Sequence, residues 1–152
     1  MGAEMRNNTE LWLGIRRVLK LYDQMLREVC EEYHLTAVEA EIISFLQHNP
    51  NRDTAADITE LRMLNKSSVS KAVEALIQKG ILQRVPDKED RRKIHLKLCA
   101  QAAPVLAKVG MIQERFWEVI FQGFSEEERL QYTRFSRRIF ENAAQEKERG
   151  ER

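Results

Sequence analysis

Apolar residues recur every three or four positions through most of this chain, and the breaks in that rhythm divide it into elements. Leu11, Ile15, Val18, Leu19, Tyr22, Met25, Leu26 and Val29 trace one stripe, which predicts a long amphipathic helix ending near Tyr33. Three capping boxes mark further helix starts: Thr36 with Glu39, Thr54 with Asp57, and Ser125 with Glu128. The second helix carries Ala40, Ile43 and Leu46 inward and stops before the loop HNPNRD; a shorter third carries Ile58 and Leu61. After the turn 62–65, Asn65 is a good N-cap for a fourth helix reaching Lys79, where Gly80 can adopt the left-handed conformation that ends it. Its buried stripe is Val69, Val73, Leu76 and Ile77, which leaves Ser67, Ser70, Lys71 and Glu74 on the opposite side.

The period then drops from about 3.6 to 2. Residues 81–85 and 93–98 read as strands, the second alternating Ile94, Leu96 and Leu98 with Lys93, His95 and Lys97. Pro86-Asp87 opens a charged turn between them. A fifth helix follows from about 102 to 122, with Pro104 in its first turn and Gly123 after its end; a sixth runs from Ser125 to about 145, with EKERGER frayed beyond it. A short helix, a tight turn, a capped second helix and a strand pair with a charged tip make a winged helix-turn-helix. The predicted class is therefore mainly α with a small β-wing (α+β): one domain over 1–152, the winged part at about 36–98, flanked by dimerisation helices at about 9–33 and 102–145.

Charge sharpens this picture. Residues 66–98 hold nine Lys or Arg against four acids, a net +5, whereas the whole chain carries +1, leaving −4 elsewhere. A local basic patch suits a surface that neutralises phosphates, although a solvated charged face would look the same by composition alone. On the fourth helix, Lys66, Ser67, Ser68, Ser70 and Lys71 are the candidate DNA contacts, because small hydroxyl side chains near a helix N-terminus allow close approach and lysines add cationic reach. In the tip, Arg91 is assigned to project into the minor groove with Lys88 assisting, and Arg92 to be braced by Asp87 or Asp90.

Other chemistries find little material. Ser68 to Lys71 matches SxxK by chance, since no second motif accompanies it. No nucleophile, base and orienter set appears and no Gly-rich phosphate loop, so no catalytic residue and no enzyme activity is expected. Cys30 and Cys99 lie 69 positions apart, which suggests reduced thiols, and the three histidines form no ligand pair, so neither metal nor cofactor is expected. No apolar run approaches a membrane span, and the opening MGAEMRNNTE has no signal-peptide core; a cytoplasmic protein is expected.

With these motifs in order, the chain resembles the MarR family of winged-helix regulators from about Leu11 to Ala143. The resemblance rests on LTAVEAEIISFL (35–46), NKSSVSKAVEALIQKGILQRV (65–85), DKEDRR (87–92) and KIHLKL (93–98). Two positions depart from the usual pattern: Glu89 stands where an arginine is common, and Cys99 where a threonine is usual. The resemblance implies a homodimer whose terminal helices interleave, double-stranded DNA as partner at a pseudo-palindromic operator, and more often repression than activation. It also implies a small aromatic or phenolic effector, for which Trp12, Arg16, Phe45, Phe116 and Trp117 are the candidate walls. Zinc-sensing relatives prompt a look at Cys30, His34 and Glu41, but Ile42 and Lys108 occupy places where more histidines would be needed. Peroxide-sensing relatives use a cysteine early in the first helix, where this chain has none. The alternatives are a winged-helix protein-interaction module without DNA binding, and a thiol- or metal-responsive form of the same regulator.

Overall fold

A computed structural model of the chain describes residues 9–150. The stretch 1–8, which holds most of the segment read for targeting signals, lies outside that range. The elements run α1 (Thr9–Glu32), α2 (Ala37–His48), α3 (Ala55–Arg62), α4 (Lys66–Gln78), β1 (Leu82–Pro86), β2 (Ile94–Leu98), a 3-10 turn at Ala100–Ala102, α5 (Ala103–Ile120) and α6 (Glu126–Gly150). They fall into two compact units, one ending at Phe116 and the other beginning at Trp117. Among the described residues no helix is long and apolar enough to cross a membrane.

All three capping boxes form. The Thr36 hydroxyl accepts the Glu39 amide at 3.2 Å, Thr54 accepts that of Asp57 at 3.1 Å, and Ser125 that of Glu128 at 3.2 Å, each acid reaching back to the cap amide. Each box satisfies two donors that a helix start leaves orphaned. Three helix ends share another device, in which the amide five residues on bonds back to a carbonyl across a left-handed residue. It runs from Leu35 to Cys30 over His34 (φ 52°), from Leu64 to Thr59 over Met63 (φ 53°), and from Ile81 to Leu76 over Gly80 (φ 72°). Only the third uses glycine, so only the third is visible in the sequence.

In the first unit Val29, Ile42, Ile43, Ile58, Val69, Leu76 and Val105 are fully buried, joining α1, α2, α3, α4 and α5 in one core. Gln113 of α5 donates to both the Tyr22 hydroxyl and the Ser44 hydroxyl at 3.2 Å, satisfying the polar groups placed against that core. Three expectations change. Leu61 is 45% exposed, because the short α3 buries only Ile58. On α4, Ala72 is buried and Ile77 only partly so. The helical tail is longer than expected: α6 continues to Gly150, through a run of Glu, Lys, Arg and Gln that favours helix, with Arg149 3.7 Å from Glu146.

Only the C-terminal half of the α1 stripe is covered within the chain, by burial of Leu26 and Val29; Leu11, Ile15, Val18 and Leu19 stay exposed. In the second unit Phe121 packs on Trp117, Phe124 and Tyr132, with the Arg129 guanidinium 5.6 Å above its ring. No residue of α6 is buried, and Leu130, Phe135, Ile139 and Phe140 are each more than half exposed.

Candidate nucleic-acid interface

The α4 helix is anchored at both ends and bare along one face. At its start the Asn65 carbonyl oxygen of the side chain accepts the amides of Ser67 and Ser68 and the Ser67 hydroxyl, the last at 2.5 Å. At its end the Lys79 ammonium donates to the His34 carbonyl at 2.7 Å and to the buried Glu39 carboxylate at 2.6 Å. Because Glu39 also closes the cap of α2, the last turn of α4 is tied to the junction between α1 and α2. Between these anchors Lys66, Ser67, Ser68, Ser70 and Lys71 are all exposed, as the sequence pattern suggested. Ser67 has one reservation: its hydroxyl proton is already engaged, so toward a ligand it presents an acceptor.

The two strands pair antiparallel with Leu82 opposite Leu98 and Pro86 opposite Ile94. Only Leu82 and Leu96 are buried, so the ribbon stands away from the core as a wing. The loop before α3 flanks it: the Leu96 amide donates to the Asp53 carbonyl at 2.8 Å. Arg84 pairs with Glu74 of α4 at 2.7 Å, both about half exposed. Such a pair contributes about 0–1 kcal/mol, so it orients the ribbon more than it stabilises it.

Bracing of the tip differs in kind from the sequence expectation. Asp87 accepts the amides of Glu89 and Asp90, both at 2.9 Å, on one carboxylate oxygen and the His95 ring on the other; Asp90 accepts the Arg92 amide at 3.0 Å. The carboxylates therefore hold backbone and histidine, not a guanidinium. A short acidic side chain at the head of a turn reaches amides two or three residues on before it reaches an arginine. The side chains of Lys88, Arg91 and Arg92 have no ion-pair partner among the described residues, and all three are exposed.

His95 is the residue that sequence reading missed, having placed it on the solvent side of β2. Its Nδ1 lies 2.5 Å from Asp53 and its Nε2 2.7 Å from Asp87, while Lys97 donates to the second Asp53 oxygen at 2.6 Å. Hydrogen bonds to Asp53 and Asp87 raise the pKa of His95 above its ordinary value. The Asp90 amide, then His95 and the Glu89 amide, hold Asp87 well below the usual carboxylate range. Burial works against the charge on Asp53, but the bonds from His95 and Lys97 outweigh it and lower its pKa. The only sequence signal was a histidine in a strand bordered by aspartates.

The five residues suggested for an effector differ in their surroundings. Trp12 and Arg16 stand exposed one turn apart on α1. Phe45 is buried under the Arg62 guanidinium at 5.7 Å, Phe116 is buried edge-on to Tyr22, and Trp117 stacks on Phe121 in the second unit. Cys30 borders a cleft of about 460 Å³ with Asp23, Arg27 and Glu41. Burial, then the charges of Glu39 and Glu31, push its pKa up and keep it a thiol, the less reactive form. Among the described residues no group of three or more His, Cys, Asp or Glu is arranged to hold a metal.

Residues 34–93, from the α1–α2 junction to the end of the wing tip, match the model of the MarR family. The chain is 29% identical over 117 residues to the HTH-type transcriptional regulator PecS of Dickeya dadantii, covering 76% of this chain and 70% of that one. A MarR family transcriptional regulator from Silicibacter pomeroyi has the same fold, with a TM-score of 0.76 at 18% identity over 90% of each chain. Staphylococcus aureus MepR in complex with DNA matches with a TM-score of 0.58 at 19% identity, over 84% of this chain and 96% of that one.

Proposed function

We propose that this chain, whose residues 34–93 match the model of the MarR family, is a regulator of that family: a dimeric, sequence-specific DNA-binding repressor released by a small effector. One observation carries the reading: in the same unit a capped helix exposes Lys66, Ser68, Ser70 and Lys71 and a braced wing tip exposes Lys88, Arg91 and Arg92, and no ion pair engages these cations among the described residues. Other cations of that unit are paired with acids, among them Arg52 with Asp57, Lys79 with Glu39 and Lys108 with Glu32. In the proposed complex α4 lies in the major groove with Ser70 and Lys71 toward base edges and phosphates, Lys66 and Ser68 near the backbone, and Arg91 in the adjacent minor groove.

Dimerisation follows from apolar surface that the single chain leaves uncovered on α1 and on α6. Two copies would place two α4 helices about one helical turn of DNA apart, which reads a pseudo-palindrome. The exposed Trp12–Arg16 pair would supply an aromatic face and a cation for an aromatic, anionic effector. Such a ligand represses or releases by shifting the balance between dimers whose recognition helices do and do not match the half-site spacing.

Selection of bound sequences from random duplex DNA tests the proposal. A twofold-symmetric motif is expected, and Lys71→Ala should weaken binding to it about 5- to 150-fold, the cost of losing a contact of about 1–3 kcal/mol. Recovery of no motif, with a protein captured in place of DNA, would instead point to an interaction module.

A further inference from the structure

A histidine with both ring nitrogens against carboxylate oxygens is not a solvated surface residue. Neutral imidazole has one N–H and can satisfy one such oxygen, the other nitrogen then turning a lone pair toward the second carboxylate. His95 faces Asp53 at 2.5 Å and Asp87 at 2.7 Å, so the arrangement requires a second proton. That proton resides on the ring. Asp87 already accepts two backbone amides, and Asp53, 5% exposed, already accepts the Lys97 ammonium, so both acids are committed as anions.

The bonds also form a continuous line through the wing. Asp53 sits in the loop before α3, whose carbonyl holds the Leu96 amide. From Asp53 the line passes through His95 to Asp87, from Asp87 to the amides of Glu89 and Asp90, and from Asp90 to the amide of Arg92. The exposed tip cations Lys88, Arg91 and Arg92 thus hang on a turn whose one side-chain tie to the body of the unit, among the described residues, is His95.

We propose that His95 is a positioning residue for DNA binding: its imidazolium clamps the wing tip to the loop before α3, and loss of that proton releases the tip. The proposal rests on the DNA-binding reading above. The charged groups around the ring are Asp53 from the loop, Asp87 from the end of β1 and Lys97 from β2; neighbouring Arg52 is directed away, to Asp57 at 3.0 Å and Glu60 at 3.8 Å. Protonated, this group of two anions and two cations is neutral, and deprotonation leaves it one negative charge in excess at a half-buried place.

The sign follows from the directions of the shifts. His95 is raised, so the clamp is complete below the ordinary imidazole value near 6.5 and is lost as pH rises through the raised folded value. Asp87 and Asp53 are lowered, so their part is present above the ordinary carboxylate value and is lost only as pH falls through their lowered values. The clamp is therefore strongest between about pH 4 and 6.5 and weakens toward alkaline pH.

The full chain tests this in two arms. In proton NMR the His95 ring, assigned by its disappearance in His95→Gln, is expected to titrate above 6.5, and the Glu89 and Asp90 amides to move with the same midpoint. A ring that titrates at or below 6.5, or amides that do not follow it, would overturn the clamp. In DNA binding, wild-type affinity should fall several-fold as pH rises through that midpoint. His95→Gln, which cannot carry the charge, should bind at the weaker level with no such step. A mutant that keeps the wild-type step would overturn the proposal. A wild-type chain that retains no DNA at any pH, with the NMR arm as expected, would overturn the DNA reading while leaving the clamp in place.

Discussion

The double substitution Phe135→Glu/Ile139→Glu is expected to turn a dimer into a monomer and to lower affinity for a twofold-symmetric DNA site by about a hundredfold or more. Both residues lie one turn apart on α6, 56% and 63% exposed in the single chain, with Leu130 and Phe140 exposed near them. Covering a large apolar side chain is worth about 1.5–3 kcal/mol, and placing a carboxylate in that interface adds the cost of an unpaired buried charge. The monomer itself should be unharmed, since no residue of α6 is buried within the chain and glutamate is a good helix former. Losing the second half-site removes the gain of linked binding, commonly 10²–10⁴ in affinity. Sedimentation equilibrium alongside DNA titration would check both parts. A variant that remains dimeric, or a monomer that binds as tightly as wild type, would remove α6 from the interface.

Leu76→Ala is expected to destabilise the fold by about 2–5 kcal/mol, a large part of the roughly 5–15 kcal/mol that holds a domain together. Leu76 is fully buried on the inner face of α4, and its carbonyl also accepts the Ile81 amide that ends the helix. Truncation leaves a cavity directly beneath the helix that carries Lys71. Leu61→Ala provides the contrast: at 45% exposure it should cost well under 1 kcal/mol. Denaturant midpoints for the two variants would test this, and equal losses would mean that the core is not where the packing places it.

The parts of the fold legible in the sequence are those set by local rules. Each capping box is three residues of local chemistry, and Gly80 announces a left-handed position by being the residue that adopts it at least cost. His34 and Met63 adopt the same backbone conformation without that signal, because the packing of Leu35 and the partly buried Leu64 behind them imposes it. Hydrophobic periodicity identifies a face, not its cover: the α1 stripe is continuous in sequence, yet only its second half is buried in the chain. The exposed face of α4 was legible because an exposed stripe is the complement of a buried one. His95 was not, since strand alternation sends it outward and only the folded chain brings Asp53, 42 positions earlier, to its ring. The tip carboxylates were read as braces for Arg92, whereas their partners are His95 and amides two or three residues away, which composition does not distinguish from nearby arginines.

In the proposed complex the braced wing and α4 bind DNA through cations that no acid engages. This is tested most directly by the salt dependence of affinity for the selected site, measured by fluorescence anisotropy for wild type and Arg91→Ala. Each phosphate-linked cation adds about 0.9 to the slope of log affinity against log salt, so Arg91→Ala should bind more weakly and with a slope shallower by about that amount. Equal affinity and equal slope in the two proteins would contradict the account.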